Sequence, residues 1–94
     1  MNIYYVELFD YYGELFTDKQ KEYFMDYYFN NLTLQEIAEN NNVSRNAVHK
    51  NIKDINKKLE YYESKLNLYS NKKQIEKIIE NIDKDIKQQI EELI

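Results

Sequence analysis

Cysteine, proline and tryptophan are absent from this 94-residue chain, and glycine occurs once, as Gly13. Without cysteine there is neither a disulfide nor a thiolate metal site, and the redox compartment is left open. With one glycine and no proline, few positions can break a helix. Together with charged residues at helical spacing, this predicts an all-α chain. No apolar run approaches the roughly 18 residues of a membrane-spanning helix. The N-terminal stretch MNIYYVELFD has no basic region followed by a long apolar one, so no signal peptide is expected and the default is a soluble, cytoplasmic protein. Also missing are a glycine-rich phosphate loop and any cluster of histidine with acidic residues. No catalytic residue, metal ligand or cofactor is therefore assigned. The single histidine, His49, has no companion with which to bind a metal or act as a base.

What is present fits one small globular domain. Hydrophobic residues make up 43% and charged residues 32% of the chain, which argues against wholesale disorder. A chain of this length buries roughly 65% of its unfolded surface. The formal net charge is −4, but it is unevenly spread. Residues 1–43 carry two basic and eight acidic side chains, residues 44–58 five basic and one acidic, and residues 59–94 six basic and eight acidic. The one basic window coincides with part of the chain that has a recognisable architecture.

That part runs from Thr33 to Ile52, TLQEIAENNNVSRNAVHKNI. Thr33 and Glu36 form a capping box that opens a helix. Asn40-Asn41-Asn42 makes a turn, and Ser44 caps the next helix. Ala38 supplies a small residue where two helices cross, while Ile37, Val43, Val48 and Ile52 serve as apolar anchors. Asn42 stands where positive φ is needed, and asparagine tolerates it best after glycine. This is a helix-turn-helix pattern, whose second helix commonly faces nucleic acid. On a wheel with Val48, Ile52, Ile55 and Leu59 inward, the opposite side carries Asn46, Lys50, Lys53 and Lys57, with Arg45 and His49 beside them. A merely solvated face usually mixes signs; this one does not. Ser44 and Arg45 are expected at phosphate, Asn46, His49 and Lys50 at bases, and Lys53 and Lys57 at backbone phosphates. Thr33 and Gln35 would offer donors to a further phosphate.

The remaining helices follow from periodicity. Tyr4–Leu15 carries a helical stripe, and Gly13 either ends it or admits another backbone. Thr17 and Gln20 form a capping box for a helix to about Phe29 that buries Tyr23, Phe24, Tyr27 and Tyr28, with Asn30-Asn31 closing it. The apolar positions Val48, Ile52, Ile55, Leu59, Tyr62, Leu66 and Tyr69 make a heptad stripe, predicting one long helix to about Leu68. Ser70 is expected to cap a last helix over Asn71–Leu93 with an isoleucine-rich stripe. The expected fold is thus a helix-turn-helix bundle of three or four helices with an extended second motif helix. The domain spans residues 1–69, and residues 70–94 form a C-terminal amphipathic helix that packs on it or builds a homodimer interface. Of the ten tyrosines, most are expected in the core or at its rim, and any left exposed would suit stacking on unpaired bases.

Several segments together resemble the YlxM family. They are Tyr12-Gly13-Glu14-Leu15-Phe16-Thr17, Lys19-Gln20, Tyr27-Tyr28, Leu32-Thr33-Leu34, Glu36-Ile37-Ala38-Glu39 and Val43-Ser44-Arg45-Asn46-Ala47-Val48. The likeness covers about residues 8 to 66. It implies a fold similar to the region-4 DNA-binding domain of sigma factors and a role as accessory or regulator of the signal recognition particle pathway. The ligand it implies is nucleic acid, either DNA or the particle's small RNA. The chain departs from the family pattern at Asn41-Asn42, where an aromatic-glycine pair is usual, and along the C-terminal helix. The competing expectation is a protein-interaction module that dimerises or docks on the signal recognition particle protein without touching nucleic acid.

Overall fold

A computed structural model describes residues 2–94, and these form six α-helices with no strand among them. The helices are α1 (Ile3–Tyr12), α2 (Asp18–Tyr28), α3 (Leu34–Asn41), α4 (Arg45–Leu66), α5 (Leu68–Ile79) and α6 (Lys84–Glu91), with a 3-10 turn at Gly13–Leu15 after α1. No helix among the described residues is long and apolar enough to cross a membrane.

Local chemistry sets most helix starts. Thr17 accepts the Gln20 amide while the Gln20 side chain accepts the Thr17 amide, and Thr33 and Glu36 repeat the arrangement on α3. Ser44 Oγ accepts the Ala47 amide at 3.0 Å to open α4. Each cap satisfies amides that a helix leaves orphaned and stabilises by about 1 kcal/mol. In a chain with one glycine, asparagine takes over its usual task. Asn31, Asn42 and Asn67 are the non-glycine residues with positive φ among those described, at 54° to 55°. Asn42 ends α3 in the left-handed conformation and donates its amide to Ala38 and Glu39 carbonyls. A β-branched side chain is strained there by about 1–2 kcal/mol. Asn42→Val should therefore lower the denaturation free energy by about that much while Asn42→Gly does not, as urea titration will read.

α4 is the spine. Its inward residues Val48, Ile52, Ile55 and Leu59 meet Leu8 and Tyr12 of α1, Tyr23, Phe24 and Tyr28 of α2, and Ile37 and Ala38 of α3 in one buried cluster. Burying each large member contributes about 1.5–3 kcal/mol. Phe9 stacks on Phe24 with ring centroids 4.1 Å apart. That ring explains Gly13, whose φ of −56° is ordinary. A Cβ on Gly13 would meet the Phe9 ring at 3.1 Å, so the close neighbour is a side chain rather than another backbone.

Some expectations need correction. Tyr27 is exposed rather than buried, because Tyr28 takes the inward position on α2. Val43 is exposed too and anchors nothing, although its amide donates to Ala38 O at 3.1 Å. Asn41, in place of an aromatic residue, ties the turn to the rest of the bundle. It donates to Ile37 O at 2.7 Å and accepts from Lys19 of α2.

The larger correction concerns the long helix. It stops at Leu66, and Asn67 turns the chain through φ 55° into α5. The cause is a buried carboxylate. Glu63 accepts the Tyr12 hydroxyl at 2.6 Å and the Tyr69 and Ser70 amides at 3.1 and 3.0 Å. Tyr12 in turn accepts the Leu68 amide at 3.2 Å. The first three amides of α5 are thus capped from α4 and α1, and Ser70 is its third residue, not its cap. Burial pushes the Glu63 carboxyl up, but these hydrogen bonds outweigh it and hold it below its ordinary value. Burial and the bond to Glu63 push the Tyr12 phenol up to about 12.

The single helix expected over Asn71–Leu93 is two. α5 ends at Ile79, and Asp83 caps α6 by accepting the Asp85 and Ile86 amides. The expected division at residues 69 and 70 falls inside α5, which packs on α1 and α4. Of the isoleucine stripe only Ile79 is buried, and α6 buries no residue.

Candidate nucleic-acid interface

With Val48, Ile52, Ile55 and Leu59 locked in the core, the helical period decides what the far side of α4 presents. Asn46, Lys50, Lys53 and Lys57 are all exposed along it. At 1.5 Å per residue, the row is about 16 Å long. The salt bridges among the described residues are Lys19–Glu22, Lys21–Glu14 and Lys87–Glu91, so no lysine of this row is neutralised by a carboxylate. Asp54, one turn beyond Lys50, is the one acidic residue between Ser44 and Lys58.

The other expected site residues divide into two groups. His49 is exposed on the flank of the row, and Arg45 is exposed at the first position of α4. Arg45 lines a cleft shared with Thr33. The second group is partly occupied. Ser44 Oγ and Thr33 Oγ1 each accept a backbone amide, at 3.0 and 3.1 Å, leaving their hydroxyl protons to donate. The Gln35 amide donates to Glu39 at 3.1 Å, and Glu36 accepts the Thr33 amide at 3.0 Å. Two carboxylates therefore stand on α3 beside Thr33 and Gln35. Tyr27 was missed from the sequence. Its signal was the doublet itself: in Tyr11-Tyr12, Tyr27-Tyr28 and Tyr61-Tyr62 the second ring is the more buried, because the core-facing stripe on each helix falls on that residue.

A helix anchored along one side, with a mainly basic row along the other, can lie against a phosphate backbone. It offers an asparagine amide at its leading turn for base edges. Comparison with known proteins gives the family. A family model described as "Putative helix-turn-helix protein, YlxM / p13 like" matches residues 1–94. The chain is 58% identical over 59 residues to the UPF0122 protein MYPE4850 of Malacoplasma penetrans, covering 63% of the chain and 55% of that relative. It is 44% identical over 88 residues to the UPF0122 protein FN1394 of Fusobacterium nucleatum, covering 93% and 85%. Against the UPF0122 protein OB1530 of Oceanobacillus iheyensis the identity is 44% over 91 residues, covering 92% and 87%. The match thus spans just over half of the first relative's length and more than four-fifths of the other two.

Proposed function

The chain belongs to the UPF0122 family of YlxM/p13-like helix-turn-helix proteins, and from that membership we propose that it binds nucleic acid through α4. The observation that carries this reading is the exposed row Lys50, Lys53 and Lys57, interrupted by Asp54 alone, with Asn46 at its head, on the free side of the second motif helix. Lys53 and Lys57 hold backbone phosphates, Asn46, His49 and Lys50 reach base edges, and Ser44 and Arg45 meet phosphate at the helix start. Thr33 donates to a neighbouring phosphate, with Gln35 beside it. The activity is binding rather than catalysis, with no cofactor. The family resemblance supports a cytoplasmic accessory or regulatory role in the signal recognition particle pathway, with DNA or the particle's small RNA as ligand.

The acidic remainder of the chain sharpens the test. This reading sets four cations, Arg45, Lys50, Lys53 and Lys57, against one strand. Counterion release then predicts that affinity falls about a hundredfold between 50 and 200 mM salt. Filter binding to the particle RNA and to duplex DNA at those two concentrations reads this directly. Salt-independent binding, or none, overturns the reading.

A second reading is favoured by one specific observation. α6 is eight residues long, buries nothing and leaves Ile86 exposed, with Ile82 and Leu93 exposed beyond its ends. So short a helix is marginal on its own in water. Its apolar side, continued by Ile78 of α5, then serves protein contact: a homodimer, or docking on the signal recognition particle protein. Light scattering on the same samples separates the two. Twice the chain mass with no nucleic-acid binding favours this reading; one chain mass with RNA bound favours the first.

A further inference from the structure

Beside the row on α4 lies a second feature, which shares Arg45 and Thr33 with the proposed interface and adds Tyr27, a ring that duplex contacts leave unused. A cleft of about 640 Å³ opens between the C-terminal turn of α2, the loop into α3 and the first residue of α4, with Tyr27, Tyr28, Asn31, Thr33, Arg45 and Asn2 among its lining residues. Its volume lies within the roughly 300–1,000 Å³ of small-ligand sites. No carboxylate lines it, although residues 1–43 carry eight acidic side chains. By contrast, the cleft between α1 and α5 is lined by Glu7, Asp10 and Glu76.

We propose that this cleft receives a single unstacked nucleotide, its base on Tyr27 and its phosphate on Arg45, so that the preferred ligand is a strand with a bulged or looped base next to the segment lying along α4. The inference rests on the nucleic-acid reading of α4 and adds the class of ligand.

Three properties of the cleft fit that occupant. Tyr27 is 36% exposed, and its ring is held edge-on against Tyr28 at 5.0 Å and 85°. Its orientation is therefore set before any ligand arrives, and an oriented aromatic face stacks any base. Arg45 forms no salt bridge among the described residues. Its guanidinium is left to grip a phosphate with two parallel bonds. Other residues that line the cleft carry donors. Asn2 Oδ1 caps α1 by accepting the Tyr4 amide at 3.1 Å, so its NH₂ remains to donate. The Thr33 hydroxyl proton is likewise unspent, because its oxygen accepts the Glu36 amide. Tyr28, whose oxygen accepts from Asn56 at 2.9 Å, keeps its own proton as well. A paired base has both faces covered by its neighbours in the duplex and cannot reach Tyr27. An extruded one can, and unstacked loop and bulge bases are what proteins read most often in RNA. A single-stranded DNA base presents the same ring without the 2′-hydroxyl.

The test compares four loop-free ligands: a blunt RNA duplex with one bulged 2-aminopurine, the same duplex fully paired, and the two DNA counterparts. Full-length wild type is expected to bind the bulged RNA about tenfold more tightly than the paired RNA, with base-stacking quenching of 2-aminopurine fluorescence. Tyr27→Ala should abolish both the preference and the quenching, leaving paired-duplex affinity unchanged. Tyr27→Phe should restore them. Equal preference for bulged DNA assigns the cleft to the base and phosphate alone; preference for bulged RNA only adds the 2′-hydroxyl as a contact. Equal affinity of wild type for bulged and paired duplexes overturns the cleft while leaving the α4 reading standing. Binding to none of the four overturns both.

Discussion

Replacing Lys50 and Lys53 together with glutamate is expected to weaken nucleic-acid binding by at least about a hundredfold and to flatten its salt dependence by roughly two units of log–log slope. Both side chains are exposed and project from the side of α4 opposite Ile52, Ile55 and Leu59. Surface changes of this kind stay within about 0.5 kcal/mol of wild-type stability, so circular dichroism should report an unaltered fold. The obvious objection is that an acidic protein made more acidic binds polyanions less well wherever the charge is placed. Lys84→Glu with Lys87→Glu on α6 answers it, since that pair changes the net charge equally at a distance from α4. If the site is the α4 row, this control loses only a severalfold, non-local part of the affinity. Equal losses in the two double variants would assign binding to net charge and remove α4 as an interface.

The second large effect concerns the joint where α4, α1 and α5 meet. Glu63→Ala should destabilise the fold by about 3 kcal/mol, because it strands the Tyr12 hydroxyl and the Tyr69 and Ser70 amides, and bonds to a charged group are worth about 1.5–3 kcal/mol each. For a domain of this size that is a fall in Tm of about 15 °C. Glu63→Gln keeps the shape and one acceptor and should lose less. The joint also gives acid stability a direction. Folding lowers the Glu63 carboxyl below its ordinary 4.5. Its ionised form is therefore favoured in the folded state, and the stability it contributes is complete above that ordinary value. It is lost as pH falls through the lower folded value. Calorimetric scans from pH 6 downward should show a drop below about 4.5 that the Gln variant lacks. A parallel drop in the variant would mean that Glu63 is not the group responsible.

How much of this was legible follows the range of each interaction. Thr17 with Gln20, Thr33 with Glu36, and Ser44 are caps made within three residues, so pattern alone located α2, α3 and α4. The lysine row was legible for a related reason. Once Val48, Ile52, Ile55 and Leu59 point inward, the 3.6-residue period leaves Asn46, Lys50, Lys53 and Lys57 outside. Periodicity misled where a stripe continued but the backbone did not. Leu66 and Tyr69 keep the heptad spacing across Asn67, yet the helix ends there because Tyr12, fifty-one residues before Glu63, helps to cap the next one. The break before α6 left a local trace in Asp83, a good cap that the unbroken isoleucine stripe outweighed. Asparagine marked all three positive-φ positions, but this chain also uses asparagine inside its helices. The residue type alone could not say which ones turn the chain.

The sequence by itself determined an all-α helix-turn-helix with one basic face on an acidic body, since caps, period and charge sign are short-range or compositional properties. Only the tertiary structure decided that the long helix stops at Leu66, that Tyr27 faces outward beside Arg45, and that α6 stands uncovered. Each of those depends on which distant side chain reaches a given atom first. Packing settles that, and neighbouring residues do not.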